Sequence, residues 1–161
     1  MTNKIQFIKL DLPQTLVNEL KNIADTIDSI NPFDLDQMHM TIVYLGDKKK
    51  LSNYKKSMEK INQLITNGPT ISLTFSNYEI FGSNSNLLVA KFSISSNDKQ
   101  KIIDFKKQFI EFGAPNEPFF SPHITIGKIK PKITITKQQI DLFQKPKNIT
   151  INNAQCLALK I

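Results

Sequence analysis

The 161-residue chain contains two histidines, and both open the same pattern: His39-Met40-Thr41-Ile42 and His123-Ile124-Thr125-Ile126. Threonine placed two after both of the only histidines would arise by chance roughly once in a few hundred such chains. Each tetrapeptide lies in an apolar run that alternates as a strand does, and residues two apart in a strand share a face. Each histidine therefore projects beside its threonine, while Met40 and Ile42, or Ile124 and Ile126, project into a core behind. Continued alternation puts Val43 and Gly127 on the histidine face and Tyr44 on the opposite one, as a packing residue. Gly127, with no side chain, is expected to let a ligand approach the second strand.

The surroundings repeat as well. Residues 5–12 alternate as a strand up to Pro13. Leu16, Leu20, Ile23, Ile27 and Ile30 then recur at intervals of three and four, predicting a helix over 13–30 that Asn31-Pro32 ends. A loop over 33–37 leads to a strand over 38–45, which stops at Gly46-Asp47. Leu51, Tyr54, Met58, Ile61 and Ile65 predict a second helix closed near Asn67-Gly68-Pro69, followed by a strand over 71–76 and a turn at 82–86. The second half runs through a strand over 87–94, a helix over 98–112, a loop over 113–117 and a strand over 119–127. Thr136, with Gln139 three later, reads as a capping box opening a short helix over 136–143, and 149–161 supplies one or two closing strands.

From strand start to histidine the count is 34 residues in one half and 36 in the other. The halves, approximately 1–76 and 77–161, thus read as copies of one strand-helix-strand-helix-strand unit. The expected fold class is α+β: one bilobal, duplicated domain over 1–161, in which two antiparallel β-sheets line a central groove and helices pack outside.

Composition narrows the partners. All 21 basic residues are lysine against 14 acidic ones, giving net +7 and an anionic partner without the planar forks that arginine brings to base reading. Heavy use of lysine, isoleucine and asparagine points to AT-rich coding, as in a virus, a low-GC bacterium or a protist. No apolar run reaches the roughly 20 residues of a membrane span, and residues 1–6 lack the apolar core of a signal peptide. The single cysteine, Cys156, can form neither an internal disulfide nor a thiolate cage, so it is expected to pack in a late strand, in a reducing compartment. A cytoplasmic location is expected, in the host cytoplasm if the source is viral.

Two histidines facing each other across a groove can remove a proton from an attacking hydroxyl or water and deliver one to the opposite leaving oxygen. One must then be neutral and the other protonated, so their environments must separate their pKa values. The residues alone do not say which is base. Thr41 and Thr125 are placed to donate hydrogen bonds to non-bridging phosphate oxygens. Asp34 and Asp36 lie upstream of His39, but in a loop with no further ligand cluster, so neither a metal nor another cofactor is expected.

The paired motif, its place on equivalent strands of a duplicated unit, and the phrase Ser121-Pro122-His123-Ile124-Thr125-Ile126 resemble the two-histidine (2H) phosphoesterase superfamily, which includes 2'-5' RNA ligase-like proteins, RNA cyclic phosphodiesterases and 2',5'-phosphodiesterases. The resemblance implies catalytic roles for His39 and His123 and phosphate-binding roles for Thr41 and Thr125. It implies an enzyme, a metal-independent phosphodiesterase acting on short 2',5'-linked or cyclic oligonucleotides. The alternatives are a 2',3'-cyclic phosphodiesterase acting on RNA ends and a non-catalytic nucleotide- or RNA-binding module. The expected partner is a nucleotide or short oligonucleotide, with no membrane and no obligate protein partner, the chain acting as a monomer.

Further candidate substrate contacts are Lys9 and Lys91, on corresponding strands, each of which either reaches a substrate phosphate or is a solvated surface lysine. Phe7 shares the face of Lys9 and either stacks on a base or joins the core. Phe119 and Phe120 precede the second motif, and one of them, with Phe120 the choice, walls the groove.

Overall fold

A computed structural model describes residues 5–45, 54–82, 84 and 86–160. The expected strand stop at Gly46-Asp47, the Leu51 position of the second helix, and Ser83 and Ser85 of the turn lie outside the described residues. Two antiparallel sheets form. In the first, β1 (Ile5–Leu10) lies between β3 (Thr41–Tyr44) and β8 (Cys156–Lys160). In the second the order is β2 (Ile30–Pro32), β6 (His123–Ile129), β5 (Leu87–Ile94), β4 (Ile71–Phe81) and β7 (Thr150–Ala154).

The order β3-β1-β8 of the first sheet matches β6-β5-β4 of the second. Helix α1 (Gln14–Asp25) links β1 to β3 as α3 (Ser96–Lys107) links β5 to β6, while α2 (Tyr54–Thr66) packs on β8 as α4 (Lys137–Leu142) packs on β4. The duplicated unit is therefore not one contiguous half of the chain. In the second unit the hairpin strand β4 leads directly into β5, whereas in the first the same place beside β1 is filled by β8, from far along the chain. The expected strand-helix-strand-helix-strand repeat is corrected accordingly, and residues 76 and 77 fall inside the continuous strand β4.

The apolar pattern of the first helix holds in burial but not in conformation. Leu16, Leu20, Ile23, Ile27 and Ile30 are all buried, yet α1 ends at Asp25 and Ile30 begins β2. The Thr26 hydroxyl donates to the Ile23 carbonyl, and Pro32 cannot continue a helix, so the chain turns while its apolar side stays inward. The predicted helix over 98–112 likewise divides, into α3 and a 3-10 turn at Ile110–Phe112 closed by Gly113 at φ 101. Phe105, Phe109 and Phe112 remain in the core. The Thr136–Gln139 capping box is present in both directions. Cys156 is buried in β8, and burial pushes its thiol up to about 12, which makes it a packing residue rather than a nucleophile.

Both motif strands carry an extra residue at the same place. Lys9 faces Thr41 and Ile8 faces Val43, leaving Ile42 unmatched; Val89 faces Thr125 and Leu88 faces Gly127, leaving Ile126 unmatched. A bulge of this kind reverses the alternation beyond it. Two expectations are corrected on this ground. Val43 is buried in the core instead of lining the histidine face, and Tyr44 emerges exposed instead of packed. Gly127 is corrected too: it pairs with Pro32, and a Cβ there would stand 2.8 Å from the Asn31 carbonyl oxygen and 2.7 Å from Ile30 Cδ1. Its missing side chain admits β2, not a ligand.

Candidate active site

His39 stands just before β3 and His123 opens β6. Their segments are held by equivalent pairings: the Leu10 amide donates to the Met40 carbonyl at 2.9 Å, and Ala90 faces Ile124. In each histidine Nδ1 lies 2.8 Å from the carbonyl two residues earlier, Gln37 for His39 and Ser121 for His123. A carbonyl only accepts, so Nδ1 carries the hydrogen and Nε2 is the basic nitrogen of each neutral ring. An aromatic ring braces each imidazole as well. Phe7 stacks on His39 at 4.6 Å between centroids, and Phe81 meets His123 edge-on at 4.8 Å.

Partial burial lowers the pKa of His39 below its ordinary value. The Gln37 carbonyl opposes that shift by stabilising the charged ring, while positive charge on Lys9 and on His123 adds to it. Thr41 and Thr125 are half-buried, and neither hydroxyl is engaged by another described residue.

A cavity adjoins each histidine. One, of about 270 Å³, lies beside His39 and is lined by Lys9, Asp11, Gln14 and Asp36 among others. The second, of about 190 Å³, joins Thr41 and Tyr44 to His123 and is walled by Lys106, Phe119 and Phe120. The structure thus brings His123 and Thr41, which come from different units, to one cavity.

The other candidates fall less evenly. Phe120 is buried and meets the second cavity from the core side, whereas Phe119 is exposed on its rim. Phe7 is 8% exposed and lies between His39 and Tyr44, so it braces the imidazole and has no open face for a base. Lys9 and Lys91 sit on corresponding strands but at different positions: Lys9 faces Thr41, Lys91 faces His123, and the counterpart of Lys9 is Val89. Lys91 is paired with Glu79 at 3.6 Å and lies 5.8 Å from the centroid of Phe81. Asp34 sits 3.9 Å from Lys21, and no group of three or more His, Cys, Asp or Glu side chains gathers among the described residues.

Several contributors escape side-chain reasoning. Gln37 and Ser121 act through backbone carbonyls, which any residue has. Phe81 and Lys106 come from elements distant in sequence. The Lys106 ammonium, though its residue is buried, donates to the Phe119 carbonyl at 2.9 Å and pairs with Glu117 at 3.6 Å, tying the segment before His123 to α3.

Solved structures share this architecture. Escherichia coli LigT in its apo form superposes with a TM-score of 0.65 at 17% identity, covering 99% of this chain and 96% of LigT. A protein described as a phosphoesterase matches with a TM-score of 0.63 at 18% identity, over 96% of this chain and 88% of its own. The chain has the 2H phosphoesterase fold. The protein TT0787 of Thermus thermophilus is also similar, at a TM-score of 0.55 and 13% identity over 97% of this chain and 84% of TT0787. No family model matches the sequence, and no curated protein does. Within the 2H fold, the two carbonyl-anchored histidines occupy equivalent places, each two residues before its threonine where the motif strand begins.

Proposed function

We propose that the chain is a metal-independent phosphodiesterase in which His39 and His123 act as general base and general acid on a nucleotide phosphodiester. The observation that carries this reading is the mirrored anchoring of both Nδ1 atoms, which leaves Nε2 as the basic atom of each ring. Lowered basicity supports the neutral role for His39: in this reading it takes the proton from the attacking oxygen, and His123 gives one to the leaving oxygen. If the 3'-hydroxyl beside a 2',5' linkage attacks phosphorus, the 5'-oxygen departs and a 2',3'-cyclic phosphate remains. If water attacks, a monoester forms. Either way the proton gained by His39 and that lost by His123 are restored through solvent. Thr41 and Thr125 donate to the non-bridging oxygens as charge builds there.

Cavities on both sides of the centre support a substrate with a nucleoside on each side of the phosphate, hence short 2',5'-linked or cyclic oligonucleotides. LigT has been crystallised with 3'-AMP and with ATP, which supports a nucleotide ligand for this groove. The test is product analysis over 2',5'-oligoadenylate, 3',5'-oligoadenylate, 2',3'-cyclic nucleotide and cyclic dinucleotides. His39→Ala and His123→Ala should each lower turnover by about a hundredfold to ten-thousandfold with the fold intact, and EDTA should change nothing. Full activity in either variant, or loss on chelation, overturns the mechanism. Saturable nucleotide binding without any product would instead support a binding module.

A further inference from the structure

Resting on the phosphodiesterase reading, we propose that the cavity on the His123 side is a stacking pocket for the base of the leaving nucleoside, with Tyr44 and Phe119 as its platforms. Tyr44 is 58% exposed and Phe119 57%, and both line the cavity that His123 and Thr41 also line. Two large rings left open to water beside a polar centre cost hydrophobic free energy that a flat ligand ring would recover.

Both rings are held in advance. Phe7 lies nearly parallel to Tyr44, at 7° and 6.4 Å between centroids, and itself stacks on His39, so Tyr44 ends a three-ring column that starts at the imidazole. Phe119 is fixed by the Lys106 ammonium, which donates to its carbonyl and stands 5.7 Å from its ring centroid. Pre-organisation of this kind reduces the entropic cost of ordering side chains on binding.

The far cavity has a different chemistry. Asp11, Asp36 and Gln14 offer hydrogen-bond acceptors, and among the described residues no aromatic side chain other than His39 lines it. Nor does the pseudo-symmetry supply a second platform, because the residue equivalent to Tyr44 is Lys128. The stacking site is therefore one-sided. Since His123 donates the proton to the leaving oxygen, the nucleoside on the aromatic side is the one that departs. Stacking tolerates any base and favours the larger purine face.

The test compares adenylyl-(2',5')-adenosine with adenosine 2'-(methyl phosphate), which has no base on the leaving side. Tyr44→Ala and Phe119→Ala should each raise KM for the dinucleotide by about ten-fold or more while leaving the methyl ester unaffected, and Tyr44→Phe should behave as the parent. Thermal unfolding of each variant separates a folding defect from a lost platform. Unchanged KM for the dinucleotide in both alanine variants, or an equal loss on the methyl ester, overturns the pocket while leaving the phosphodiesterase standing. No turnover by the parent protein across the whole linkage panel removes the phosphodiesterase reading, and the pocket with it.

Discussion

Lys9 and His39 make a pair whose effect has a definite sign. Positive charge on Lys9 disfavours a second charge on His39, and burial does so more strongly, so His39 stays neutral at a pH where an ordinary histidine is charged. The acidic limb of kcat/KM should accordingly lie below the usual histidine range. Replacing Lys9 with methionine removes one of the forces that keep the ring neutral. The His39 pKa then rises, and the acidic limb moves to higher pH; a pH–rate profile of Lys9→Met beside the parent checks this, and a shift the other way refutes the assignment of His39 as base. At this scale the sequence was informative about side chains and silent about backbone. Spacing alone singled out His39, Thr41, His123 and Thr125, but not the Gln37 and Ser121 carbonyls, because a carbonyl leaves no mark on residue identity. Phe7 was ambiguous for a related reason: an aromatic in a strand reads alike whether it braces an imidazole or fills a core.

Alternation is a local rule, and one inserted residue defeats it. The bulges at Ile42 and Ile126 turn Val43 and Gly127 inward and send Tyr44 and Lys128 outward, and no composition cue announces them. Helical periodicity failed more gently, because Ile27 and Ile30 stay in the core after α1 has ended. Cap chemistry, by contrast, was fully legible at Thr136 and Gln139, since both side chains bond the backbone locally. Two outcomes belong to this scale. Gly127→Ala forces a methyl against the Asn31 carbonyl oxygen, which cannot rotate away as a side chain would. It should cost about 1–3 kcal/mol by prising β2 from β6, read as a lower denaturation midpoint. Thr136→Ala should cost about 1 kcal/mol through the lost cap, with kcat/KM unchanged.

Taken whole, the molecule is two units that complete each other. The first sheet needs β8 and the second needs β4, so a cut at the turn between β4 and β5 separates partners on both sides. Fragments 1–82 and 86–161 should each fail to show a cooperative thermal transition, while mixing them should restore one, measured by circular dichroism. Cooperative unfolding of either fragment alone would show that the exchange of strands is dispensable. The duplication itself was readable from two tetrapeptides and from the strand and helix that precede each of them. The exchange was not, since pairing between β1 and β8 spans almost the full sequence and depends on contacts that no local pattern encodes. Under the phosphodiesterase reading, the lysine-only net +7 would favour approach of a small anionic substrate through few phosphate contacts, so added salt should raise KM only modestly.

The placement of β8 bears on how the protein is made. A ribosome delivers β1, α1 and β3 early, yet the strand that flanks β1 is synthesised only after the entire His123 unit has emerged. Until then one edge of β1 has backbone groups without a sheet partner, a surface that invites pairing with other nascent chains. The later-made unit, with β4, β5 and β6 nearly consecutive, can assemble first and offer a template on which the earlier-made one closes.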